Sequence, residues 1–88
     1  MNDYLKSQIQ KYYVYSRAAD KADSEMLADP TNAEKEAAFD KAYKKEYTQY
    51  ILTAKLIVEY TGGKIDFDTA KKMLCTKELE LLQILERI

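Results

Sequence analysis

Ala28-Asp29-Pro30-Thr31-Asn32, residues 28–32 of an 88-residue chain, decides the fold. Proline lacks an amide hydrogen and biases the residue before it away from helical geometry, so a helix arriving at Asp29 must end there. Thr31 is followed three residues later by Glu34, a capping-box pattern that opens a new helix. A joint this short returns the chain antiparallel to itself.

Upstream of the joint, residues 3–28 repeat their apolar side chains at helical spacing. Leu5, Ile9, Tyr12, Ala19, Met26 and Leu27 share one side. Tyr4, Tyr15 and Ala22 widen it on one flank and Tyr13 on the other. A stripe this wide predicts two neighbours rather than one. Asp3 is placed to cap the start.

Downstream, a second helix is predicted from about 32 to 61. Its main stripe is Phe39, Tyr43, Tyr47, Tyr50, Ile51, Ala54, Ile57 and Val58. Its last turns carry a further apolar line, Leu52, Leu56 and Tyr60, nearly opposite the first. A helix apolar on two sides is buried on two sides. We therefore expect helix 1 on the main stripe. On Leu52-Leu56-Tyr60 we expect either the C-terminal segment, its natural cover, or a partner.

Gly62-Gly63 ends this helix, because glycine accepts the left-handed conformation of a C-terminal cap. Asp66 can cap a restart, with Ile65 reaching Ala70 as a hydrophobic staple. A third helical segment is expected over about 66–88, carrying Phe67, Ala70, Met73, Leu74, Leu81, Ile84, Leu85 and Ile88 in one phase. Cys75-Thr76 are weak helix formers, which allows a break near 75–76. The predicted fold is all-α: one domain over 1–88, a long antiparallel helical hairpin plus this segment, forming a three-helix bundle.

Composition limits what such a bundle can do. The chain has one cysteine, Cys75, and no histidine, so neither a disulfide nor a usual zinc or di-iron site can form. Asp66 and Asp68 resemble the opening of a calcium loop, but the other ligands and the glycine are missing. Cys75 has no histidine to activate it and reads as a small core residue. Gly62-Gly63 lacks the continuation of either phosphate-binding signature. We expect no enzyme, no cofactor and no metal. Net charge is −1, with 14 basic and 15 acidic residues, so no global field attracts nucleic acid or an anionic membrane. The N-terminus lacks a secretory pattern and no stretch is apolar enough to span a bilayer, so a cytoplasmic location is expected.

Two features stand out. Eight tyrosines occur in 88 residues with no tryptophan, falling mostly on the two facing stripes. They are either an aromatic-lined seam or, where the wide stripe leaves them exposed, a binding surface. Candidate surface residues for a partner or a second copy are Tyr4, Tyr13, Val14 and Tyr15 on helix 1, and Leu52, Leu56 and Tyr60 on helix 2. Residues 20–40 also carry a net charge of −5, giving the hairpin an acidic tip. Its candidates for meeting a basic partner are Asp23, Glu25, Asp29, Glu34 and Glu36.

The expected function is protein–protein binding by a small non-enzymatic helical protein, with a homodimer as one form of it. One alternative is a dimeric helical-hairpin nucleic-acid-binding or regulatory protein using Lys41, Lys44 and Lys45. Nucleic acid is disfavoured, because Asp40 and Glu46 bracket these lysines and Tyr43 lies on the core stripe. A second alternative is a small membrane-associated immunity-type helical bundle, which rests only on size and helicity.

Overall fold

The joint at Pro30 reverses the chain as expected, but its cap is Asn32 rather than Thr31. Asn32 Oδ1 accepts from the main-chain amides of Glu34 (3.0 Å) and Lys35 (3.2 Å). Its Nδ2 donates to Asp29 Oδ2 at 3.1 Å, and Lys35 Nζ lies 3.6 Å from the same oxygen. An asparagine one residue before the helix reaches the second and third amides, which have no partner inside it.

The computed structural model describes residues 3–76 and 78–87; for 76, 78–80 and 84 it describes the main chain alone. Among the described residues four helical segments follow one another: α1 (Asp3–Ala28), α2 (Ala33–Tyr60), α3 (Phe67–Thr76) and α4 (Glu78–Arg87). No strand occurs among the described residues. Helices α1 and α2 form a long antiparallel hairpin in a body measuring 47 × 22 × 19 Å. A third helix, α3, packs on α2 and completes the three-helix fold.

The α1 stripe forms as expected through Leu5, Ile9, Tyr12 and Ala19, all buried. It fails at the tip, where Leu27 is 66% exposed. The buried face of α2 is rotated from the expected one. Its centre is Gln49, Thr53, Ala54 and Ile57, whereas Tyr43 and Tyr47 stand half-exposed. The reason is a polar cluster inside the hairpin. Gln49 Nε2 donates to Gln8 Oε1 (2.9 Å), to the Gln8 main-chain oxygen (3.2 Å) and to Thr53 Oγ1 (3.0 Å). Thr53 Oγ1 in turn donates to the Gln8 main-chain oxygen at 3.4 Å. Once these groups satisfy one another, burying them costs little, and they take places an apolar count assigns to tyrosine.

The second joint follows the sequence closely. Gly62 and Gly63 have φ of 62° and 85°, the left-handed values that favour glycine. Asp66 caps α3 by accepting from the Thr69 amide at 2.7 Å. Thr61 was not anticipated. Its buried hydroxyl donates to the Ile57 main-chain oxygen (2.9 Å) and accepts from the Ile65 amide (3.2 Å). One side chain thus ties the end of α2 to the incoming Ile65.

Ile65, Ala70, Met73, Leu74, Leu81 and Leu85 join Leu5, Ile9, Tyr12 and Ile57 in one core cluster. Each large side chain fully buried there contributes about 1.5–3 kcal/mol relative to exposure. Cys75 and Thr76 are both helical, and α3 and α4 lie on either side of residue 77. The choice between one helix and two falls on that residue, which lies outside the described ones. So do the side chain of Ile84 and residue 88.

Candidate functional site

Both apolar sides of α2 meet α1; on the main stripe Tyr50 lies 5.6 Å from Tyr12, as expected. Leu56 and Tyr60 face α1: with Tyr4, Leu5 and Glu59 they line an open groove of about 260 Å³. Tyr50 and Tyr47, from the stripe assigned to α1, line a different pocket with Tyr12 of α1 and Cys75 of α3. Leu52 is 42% exposed and Tyr4 57% exposed, while Leu56 and Tyr60 are half-buried against the core. Leu52 lies one helical turn before Leu56 on α2.

The other candidates on α1 separate. Tyr13 turns inward, and its hydroxyl donates to the main-chain oxygen of Leu74 at 3.0 Å. Val14 is 53% exposed and edges a groove with Lys6, Ile9, Tyr13, Arg17 and Leu82. Tyr15 lies half-buried beneath Lys11, whose Nζ is 5.7 Å from the ring centre. Lys44, Lys45, Thr48 and Gln49 complete a shallow basic groove around it, and Lys41 is not among its lining.

The aromatic stripe of α2 is present, but Tyr43 and Tyr47 on it are half-exposed. Phe39, Tyr43, Tyr47 and Tyr50 form a ladder of rings with centres 5.9, 6.4 and 6.4 Å apart. Tyr12 of α1 continues it 5.6 Å from Tyr50, and Tyr13 follows at 5.1 Å. Spacing of four, four and three residues placed the α2 rings on one face correctly. It could not say that the face lies at the margin of the core rather than in its middle.

Two depressions run along this ladder and share Tyr43 and Glu46. One, of about 230 Å³, is lined by Tyr12, Tyr43, Glu46, Tyr47, Tyr50 and Cys75. The other, of about 220 Å³, is lined by Ala19, Asp20, Asp23, Phe39, Tyr43 and Glu46. Cys75 is exposed and lines the first of these depressions, not the core residue expected. Burial raises the Tyr12 and Tyr50 phenols above their ordinary value, and Cys75 beside both adds to the shift. The phenols stay neutral donors at any physiological pH.

The acidic tip is less uniform than its composition suggests. Asp29 is engaged by Asn32 and Lys35 and belongs to the joint. Glu25, Glu34 and Glu36 are exposed, whereas Asp23 is half-buried and belongs to the aromatic trough. Among the described residues no group of acidic or cysteine side chains is arranged to hold a metal ion, and no helix is long and apolar enough to cross a membrane. No buried side-chain nitrogen or oxygen there lacks a hydrogen-bond partner. No protein-family model, curated protein or solved structure matches the chain.

Proposed function

We propose that this chain is a non-enzymatic protein-binding bundle, and that two copies pair through the strip formed by Tyr4, Leu52, Leu56 and Tyr60. The supporting observation is the exposure of this strip. Tyr4 is 57% and Leu52 42% exposed, and Leu56 and Tyr60 line an open groove with Leu5 and Glu59. Large apolar side chains held outside a small core cost solubility unless a partner covers them. A strip crossing both helices of a hairpin can meet its own copy about a two-fold axis, the commonest symmetry of soluble oligomers. Light scattering over a concentration series tests this. The expected mass rises toward twice 10.2 kDa. Leu52→Glu should return it to the monomer with helicity unchanged, since Leu52 is not a core residue. A wild-type chain that stays monomeric at millimolar concentration defeats the pairing.

One observation favours a second reading. Lys11 and Tyr15 of α1 come beside Lys44 and Lys45 of α2, so the hairpin builds a basic groove around an aromatic ring. That is the composition of a nucleic-acid backbone contact. Binding of mixed single-stranded oligonucleotides at low salt, lost in Lys11→Gln with Lys44→Gln, would support it. Unchanged oligonucleotide mobility would exclude it.

A further inference from the structure

We infer that the aromatic trough between Tyr47 and Asp23 receives a protein segment that presents two cationic side chains about one helical turn apart. The proposal goes deeper into the protein-binding reading by giving the partner's chemistry, and so rests on it, but it does not depend on pairing between copies.

The rings supply the first argument. A lysine or arginine head is attracted to the face of a tyrosine ring within about 6 Å of its centre. Four tyrosines line one depression, with Tyr43 and Tyr47 each about half-exposed. The carboxylates supply the second. Glu46 lies in both depressions, and Asp20 and Asp23 line the one toward the tip. Among the described residues none of these three is in an ion pair; the two ion pairs found, Lys35–Asp29 and Lys71–Asp68, lie elsewhere. Glu46 is also half-buried, so its charge is less screened by water than a fully exposed one. A face with aromatic rings and uncompensated negative charge complements a cation and repels an anion.

The spacing supplies the third. The depressions meet at Tyr43, with Tyr47 one turn of α2 to one side and Phe39 one turn to the other. Successive positions four apart on a helix advance by about 6 Å. Two basic side chains at i and i+4 of a helix match that interval, one head over Tyr43 and Tyr47 against Glu46, the other beside Phe39 between Asp20 and Asp23. The basic groove around Tyr15 is a separate depression with no lining residue in common.

The probe is the peptide acetyl-Ala-Arg-Ala-Ala-Ala-Arg-Ala-amide, titrated into the full chain and followed by amide chemical shifts. Saturable shifts centred on Tyr43, Glu46 and Tyr47 are expected, with no response to the same peptide carrying glutamine for both arginines. Glu46→Gln and Tyr47→Ala should each weaken binding by about five-fold. Both positions lie outside the buried core, and circular dichroism of each variant checks the fold. Absence of saturation at millimolar peptide overturns the proposal. So does equal binding of the glutamine peptide, or shifts that map to Lys11, Lys44 and Lys45 or to the Tyr4–Leu56 strip. A monomeric chain that binds the arginine peptide defeats only the pairing of copies. A dimer that ignores the peptide defeats only the trough.

Discussion

The hydroxyl of Tyr13 on α1 donates a hydrogen bond to the main-chain oxygen of Leu74 on α3, 61 residues further along the chain. It is a direct tie between the first helix and the third, made where the C-terminal segment crosses the hairpin. Tyr13→Phe keeps the ring and its edge contact with Tyr12 but removes the donor. We expect a loss of about 0.5–1.5 kcal/mol, the usual net worth of one intramolecular hydrogen bond. Urea unfolding should show a lower midpoint with an unchanged slope, since the surface exposed on unfolding stays the same.

Gln49 holds the hairpin seam through a side chain whose identity matters more than its size. Gln49→Leu removes the donor from three acceptors and should cost about 1–3 kcal/mol at any pH. Gln49→Glu sets a carboxylate against those same oxygens in a position where the native side chain is only 5% exposed. Burial and the facing acceptors raise that carboxyl's pKa above its unfolded value near 4.3. A raised pKa means the proton is bound more tightly in the folded state. Gln49→Glu should therefore be the more destabilised variant at neutral pH and recover stability as pH falls toward about 4. Equal destabilisation at both pH values would show that the seam is not a closed network of acceptors.

Thr61 should prove as important to the second joint as either glycine. Thr61→Val keeps the shape but leaves the buried Ile65 amide without its acceptor. The expected cost is about 1–3 kcal/mol, while Thr61→Ser, which keeps the hydroxyl, should cost less. Hydrogen exchange checks the mechanism: the Ile65 amide should lose protection in Thr61→Val and keep it in Thr61→Ser.

Alkaline pH should weaken the fold through Tyr12 and Tyr50. Both phenols are raised above the ordinary value of 10.0, first by burial and then by Cys75. In the unfolded chain they ionise from about pH 10, while in the folded chain they hold their protons. The stabilisation is complete below that pH and is lost as pH climbs toward the folded values. Phenolate absorbance should show Tyr12 and Tyr50 titrating late, and only while the protein remains folded.

The helical hairpin, its Pro30 joint and the glycine-capped end of α2 were all readable in the sequence. These features are local: a proline's missing amide, a glycine's left-handed φ and a helical repeat act within a few residues. The rotation of α2 was not readable in the same way. Gln49 and Thr53 count as polar by type, yet they become good core residues once Gln8 stands opposite, 41 and 45 residues away. Displaced from the centre, Tyr43 and Tyr47 reach the margin, and Cys75 lies exposed beside them.

The candidate surfaces divide along the same line. Spacing alone singled out Tyr4, Leu52, Leu56 and Tyr60, but only the fold shows Tyr4 and Leu52 exposed and Leu56 and Tyr60 half-buried. The pairing of Glu46 with the tyrosine ladder, and of Lys11 with Lys44 and Lys45, depends on which faces of α1 and α2 meet. Sequence by itself determined that this chain is an antiparallel helical hairpin with a third helical segment, because chain reversal and periodicity are set by neighbours. Only the tertiary structure decided which residues are core and which are surface, because burial depends on whether a polar group finds its partner across the seam.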